Sequence, residues 1–276
     1  MMAEGKKKFP STRPVSNLGN AYVNKSNALI RASYKLSLNE QRVVLASVAK
    51  LDSRRMAQSG TRDQISRIRI YASEYSETFK VSPKDAYAAL REGSARLYDR
   101  SIQTFDGRVK ERFRWILKES YAEGEGYVEL SFTPDAAIYL TALRNRFTSY
   151  QLKRVAHLRS IYSIRLFEYL AAYRDTGLFR ISLEDLILEL ALPYTRWVHV
   201  KQRVIDPAID ELQAKSNIDI SYEAEKTGRR ISMIVFRFTL AAQGKLDFLG
   251  NDEETQKPGD FPQPADSQVE ETQNPG

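Results

Sequence analysis

The chain has 276 residues, 42% of them apolar, and 42 Lys and Arg against 35 Asp and Glu give it a formal net charge of +7. That length and apolar share suit two domains of ordinary size, each with its own core. The absence of Cys excludes a disulfide framework, a thiol nucleophile and a thiolate zinc site. No apolar run approaches the roughly 20 residues that cross a bilayer, and the first residues lack the apolar core of a signal peptide, so a soluble intracellular protein is expected. The charge is uneven. From Lys245 onward eight acids stand against two lysines, a net of −6, which leaves +13 on the first 244 residues. A basic body with an acidic tail points to a polyanion, foremost nucleic acid.

In chain order, residues 1–24 read as a disordered basic arm carrying Lys6-Lys7-Lys8, with little apolar periodicity to offset the entropy of ordering. Leu38–Ala49 is helical by its apolar spacing, and Ile68-Arg69-Ile70 alternates like a short strand. A short helix follows over Ser73–Phe79, then a turn at Lys80–Val81. Ser82-Pro83 supplies an N-cap and an N1 proline for a helix to about Tyr98. Ser101–Phe105 and Arg112–Ser120 alternate as paired strands around Asp106-Gly107, a hairpin signal, and Tyr127–Thr133 is a further strand.

The same order then returns. Tyr150 to about Tyr173 reads as one long, buried scaffold helix, followed by a short strand Phe179-Arg180-Ile181. Ser182 caps Leu183–Leu190, Pro193-Tyr194 turns, and Thr195 caps a helix to about Lys215. Ile218–Glu223 and Ile231–Thr239 are strands around Lys226-Thr227-Gly228-Arg229-Arg230. Helix, short strand, helix, turn, longer helix and hairpin is the order of a winged helix-turn-helix. The expected fold is therefore α+β, two tandem winged helix-turn-helix domains related by pseudo-duplication, with disordered termini. The domains are placed at 25–146 and 147–244, and 245–276 is a disordered acidic tail.

The candidate chemistry lies on the second copy. Trp197, Val200, Val204, Ile205, Ala208, Ile209 and Leu212 share one arc of the helical wheel, the core face. Arg196, His199 and Arg203 lie on the opposite arc with Gln202 at its edge, in the N-terminal half that enters the major groove in helix-turn-helix proteins. Arg can bond guanine and Gln adenine through two hydrogen bonds each. The competing reading is a solvated face with Arg203 paired to Asp206 or Asp210. Lys226, Arg229 and Arg230 stand at the hairpin tip, where a wing meets the backbone or the minor groove. In the first copy, Lys84 and Arg91 flank the candidate helix and Arg108 and Lys110 lie on the hairpin, a set suited to phosphates more than to bases.

Enzyme readings have little support, and neither catalytic residues nor a metal or cofactor are expected. There is no G-x-x-x-x-G-K-[ST] and no H-E-x-x-H, and His157 and His199, the only histidines, are too far apart in sequence for a metal-binding pair.

Five stretches carry a resemblance: Leu38–Arg42, Phe147–Leu152, Ser160–Leu170 with its Tyr162-Ser163-Ile164-Arg165 core, Val204–Leu212, and Lys226–Phe238 with Gly228-Arg229-Arg230. In that order, over roughly residues 25–240, they resemble the iteron-binding initiators (the initiator Rep family) of theta-replicating bacterial plasmids. The resemblance implies two winged helices, monomeric binding to directly repeated origin DNA, and opening of an adjacent A·T-rich stretch in the bacterial cytoplasm. It further implies a homodimer, formed through the first domain, that represses its own gene, and host initiator, replicative helicase and chaperones as partners. It gives the stronger specific contact to the second domain. The main rival is a tandem winged-helix repressor without initiator activity, and a DNA-free interaction scaffold is a third reading.

Overall fold

The computed structural model describes residues 16–51, 68–105, 108–121, 124–140 and 147–240. The Lys6–Lys8 run, the Asp106-Gly107 turn and the acidic tail lie outside the described residues.

After the short α1 (Asn27–Ile30), the first winged helix is built from α2 (Leu38–Lys50), β2 (Ile68–Tyr71), α3 (Ala72–Phe79), α4 (Pro83–Tyr98), β5 (Ile116–Tyr121) and β6 (Tyr127–Phe132), and α5 (Pro134–Leu140) follows it. Its ends follow local chemistry. Ser37 and Glu40 form a capping box at the start of α2, and Ser82 Oγ accepts the Asp85 N–H ahead of Pro83. Lys80 closes α3 in the left-handed region at φ 53°. Helices α2 and α4 pack so closely that a Cβ at Gly93 would lie 3.1 Å from the Asn39 carbonyl group and from Val43 Cγ2.

The second is α7 (Ile161–Ala172), β8 (Leu178–Ser182), α8 (Leu183–Glu189), a helix from Trp197 to Ser216, β9 (Asp219–Thr227) and β10 (Arg230–Thr239). The two three-stranded sheets have the same antiparallel order, β2-β6-β5 and β8-β10-β9, with the last strand in the middle. This equivalence establishes the pseudo-duplication at the level of topology.

Four expectations need correction. Residues 17–24 are not part of a disordered arm: a 3-10 turn at Leu18–Asn20 leads into β1 (Tyr22–Ser26), which pairs with β7 (Phe147–Gln151). Leu18 and Val23 are fully buried there, too few apolar residues to stand out as a period. Arg112–Ser120 is not one strand. It divides at the buried Trp115, whose carbonyl accepts the Thr133 N–H and whose ring meets Tyr34 edge-on at 5.1 Å. The half before Trp115, β4 (Lys110–Arg114), pairs with β3 (Ser101–Phe105), and the half after it joins the wing sheet. The β3–β4 hairpin that carries Arg108 and Lys110 is thus an insertion ahead of the first wing, which is β5–β6.

The long helix expected over Tyr150–Tyr173 is instead β7, a short helix α6 (Lys153–Ala156) and α7. Ser160 Oγ accepts the N–H groups of Tyr162 and Ser163 to start α7, and Glu211 accepts those of Arg159 and Ser160. That partner comes from about 50 residues downstream, out of reach of a local reading. Finally, the cap before Trp197 is Arg196, not Thr195, with extended backbone and no side-chain bond.

A buried polar hub joins the two winged helices through α7. Lys25 of β1 and Glu168 are both 0% exposed at 2.6 Å, and the Tyr150 hydroxyl donates to the same carboxylate oxygen at 2.6 Å. Burial and the neighbouring Glu168 hold the Tyr150 hydroxyl well above its ordinary pKa, so it stays a donor. Arg165 donates to the carbonyls of Ile30, Ala32 and Glu189, and its guanidinium stacks over Tyr34 at 3.9 Å. Glu189, at the end of α8, accepts from Arg31 and from the Tyr169 hydroxyl. Arg165, in the stretch that carries the family resemblance, therefore helps hold the scaffold together.

Candidate nucleic-acid interface

The helix after Tyr194 is α9 (Trp197–Val200), a π-helical turn over Lys201–Ile205, and α10 (Asp206–Ser216). Pro207 explains the wide turn. It has no N–H to give to residue 203, and its ring crowds that carbonyl. The chain widens just ahead of it, and the Asp206 N–H reaches back five residues to the Lys201 carbonyl. Val200, Val204, Ile205, Ala208, Ile209 and Leu212 are buried, while Trp197 is half-buried against Tyr222.

The outward residues fall into two rows. His199 and Arg203 form one, gathered around Tyr194: the imidazole lies 6.2 Å from its ring and the Arg203 guanidinium 5.1 Å from its centroid. Val198 and Gln202 form the other, both exposed, with exposed Arg196 at the helix start. His199 is half-buried. The acids do not neutralise this face. Asp206 accepts from Lys201 Nζ at 2.6 Å and from the Tyr222 hydroxyl at 2.7 Å. Burial alone would raise its pKa, but these two hydrogen bonds hold it below the ordinary carboxylate value. The Lys201 ammonium is raised in turn, chiefly by its bond to Asp206. Asp206 thus braces the helix against β9, and among the described residues Arg196 and Arg203 have no ion pair.

The wing completes the surface. Thr227 and Arg230 pair across a two-residue turn in which Gly228 has φ +62°, the left-handed value a type II′ hairpin asks of its first central residue. Exposed Lys226, Arg229 and Arg230 surround that turn, and among the described residues none of them is ion-paired. Below the tip, Ser232 is the extra residue of a bulge, and its hydroxyl accepts from Thr227 and donates to the Glu225 carbonyl. Arg180 and Glu225 neutralise each other on the stem at 2.8 Å, so positive charge is concentrated at the tip.

In the first copy, Lys84 is exposed at the start of α4. Arg91 lies on the wing strand instead of standing free: it donates to the Tyr121 hydroxyl at 2.9 Å, with its guanidinium 4.3 Å from that ring. Lys110 sits 5.6 Å from the Phe105 ring on the inserted hairpin, where Arg108 is also exposed. The structure therefore brings Arg196, Gln202, Arg203, Lys226, Arg229 and Arg230 onto one winged helix and disperses the first-copy set. Sequence reasoning passed over Tyr194, Val198 and the Lys201–Asp206–Tyr222 brace. Lys201 and Asp206 are five apart, a spacing that meets only in a π turn, and Pro207 was its one signal.

His157 bridges the Lys153 carbonyl and the Ser216 hydroxyl at 3.2 Å each, tying α6 to the end of α10. Among the described residues no helix is long and apolar enough to cross a membrane.

Two family models match the chain. One, described as "Initiator Replication protein, WH1", covers residues 22–171, and another, "Initiator Rep protein, WH2", covers residues 182–238. Among curated relatives, an "Uncharacterized 27.6 kDa protein" of Escherichia coli is 27% identical over 231 residues, spanning 77% of this chain and 93% of its own. A "Replication initiation protein" of Escherichia coli is 26% identical over 231 residues, spanning 80% of this chain and 71% of its own. The crystal structure of Pi initiator protein in complex with iteron DNA superposes with a TM-score of 0.65 at 23% identity, covering 82% of this chain and 99% of the other. That likeness is one of fold.

Proposed function

Because the chain belongs to the initiator replication protein family, we propose that it binds directly repeated origin DNA as a monomer and promotes opening of an adjacent A·T-rich stretch. The observation that carries the DNA reading is the surface of the second winged helix. Its recognition helix and wing present Arg196, Gln202, Arg203, Lys226, Arg229 and Arg230 to solvent with no carboxylate pairing them among the described residues. The solved relative of the same fold is, by its description, bound to iteron DNA.

The physical logic favours a monomer on direct repeats. Major-groove faces recur every ~10 bp, so two winged helices in one chain span about 20 bp without a two-fold partner. A dimer needs two-fold related sites, which suits repression of the protein's own gene at an inverted repeat. Recruitment of host initiator and helicase belongs to the same proposal, in which the protein acts by binding and not by catalysis.

A nuclease footprint on the DNA flanking the gene, at physiological salt with excess random competitor, tests the reading. Protection recurring over direct repeats about two helical turns long is expected from the monomer. Arg203→Ala is expected to weaken that site by about 1–3 kcal/mol while sparing random DNA, whereas Arg229→Ala weakens both and lowers the salt dependence. A single protected inverted repeat with monomeric protein would favour a repressor, and no protection would overturn the proposal.

A further inference from the structure

Val198 is 47% exposed in the first turn of the recognition helix, although Val200 two residues on is fully buried and the core is satisfied without it. It stands one turn before Gln202, on the row not propped by Tyr194. With about half its surface in solvent, a β-branched apolar residue gains less there from packing than Val200 does, and it is a poorer helix former than Ala or Lys. Single exposed apolar residues are common on protein surfaces. This one, however, lies in the part of a recognition helix that enters the major groove, flanked by Arg196 and Gln202.

The major groove offers one apolar feature, the C5-methyl of thymine, and Gln pairs with adenine N6 and N7. Four residues along an α-helix advance about 6 Å, and the π turn that takes in Gln202 shortens this, so the two side chains stand no further apart than the ~3.4 Å rise per base pair taken twice. We propose that Val198 is a specificity-determining residue that reads a thymine by apolar contact with its C5-methyl, within two base pairs of an adenine taken by Gln202. The inference rests on the DNA-binding reading of this helix and deepens it: the second winged helix reads A·T pairs through this row, beside the charged contacts of Arg196 and Arg203.

The test uses the full-length chain and duplexes that the chain itself enriches from a random-sequence pool. Each thymine of the enriched site is replaced in turn by deoxyuridine, which removes the methyl and leaves the base pairing unchanged. One replacement is expected to weaken wild-type binding about fourfold, the equilibrium factor for one buried methyl. Val198→Ala should bind the thymine duplex weaker by a similar factor and be indifferent to deoxyuridine at that position. Val198→Thr, which keeps one methyl, should remain sensitive. Circular dichroism is expected to show Val198→Ala folded, since Ala is the better helix former at an exposed position. If wild type and Val198→Ala respond identically to every deoxyuridine, the Val198 inference is overturned and DNA binding stands. If no sequence is enriched, the reading of the helix fails and the inference falls with it.

Discussion

Lys25→Met tests whether the hub between the winged helices is held by charge. Lys25 and Glu168 are both 0% exposed, 2.6 Å apart. Met preserves most of the lysine stem, so packing changes little, but the carboxylate is left with one donor, the Tyr150 hydroxyl, and its second oxygen has none. Stranding one member of a buried pair costs about 3–5 kcal/mol, a large share of the ~5–15 kcal/mol that keeps a domain folded. Neutralising the other member as well removes the stranded charge, so Lys25→Met with Glu168→Gln should recover to within about 1–2 kcal/mol of wild type. Urea unfolding of wild type, both single variants and the double variant at pH 7 gives the stability recovered when Glu168→Gln is added to Lys25→Met, expected at about 2–3 kcal/mol. A double variant no more stable than Lys25→Met alone would refute the reasoning and assign the cost to lost packing.

Glu211 is partly buried, which by itself raises its pKa, but hydrogen bonds from Lys215 and from the N–H groups of Arg159 and Ser160 help bring it down to about 2 from 4.5. A carboxyl depressed on folding stabilises above its unfolded pKa and loses that contribution as pH falls through the folded one. Wild type should therefore lose stability between about pH 4.5 and pH 2, and Glu211→Gln, weaker by about 2 kcal/mol at pH 7, should converge with it at the acid end. Equal spacing of the two denaturation curves at every pH would remove Glu211 from that role. Gly93→Ala should destabilise by about 1–3 kcal/mol despite the better helix propensity of Ala, because its Cβ meets backbone of α2 that cannot turn aside. A melting temperature at or above that of wild type would show that the two helices part freely.

Where local chemistry decides, the fold was legible from the chain. Ser82-Pro83, Ser182 and the Gly228 turn each put a cap or a hairpin where the structure has one. The errors came where a distant partner decides. Tyr22–Ser26 becomes a strand because Phe147–Gln151 pairs with it, and α7 starts at Ile161 because Glu211 meets the N–H groups ahead of it. Trp115 ends a run of alternation that looked continuous, because burial of its ring sends the chain into another sheet. At the candidate interface the cations were legible as an outward arc. Their freedom from Asp206 was not, since that depends on Tyr222 arriving from the next strand.

The wide turn over Lys201–Ile205 bears on how such a helix changes over generations. In an unbroken α-helix each residue turns the chain by a fixed angle, so adding one swings everything beyond it onto a new side. A π turn absorbs the added residue locally and returns both flanks to register. The outward-facing segment and the segment anchored by Asp206 and Leu212 are thereby joined as by a coupling with play in it. The outward residues Arg196, Val198, Gln202 and Arg203 are then free to vary while Trp197, Val200, Lys201 and the anchoring half keep their places.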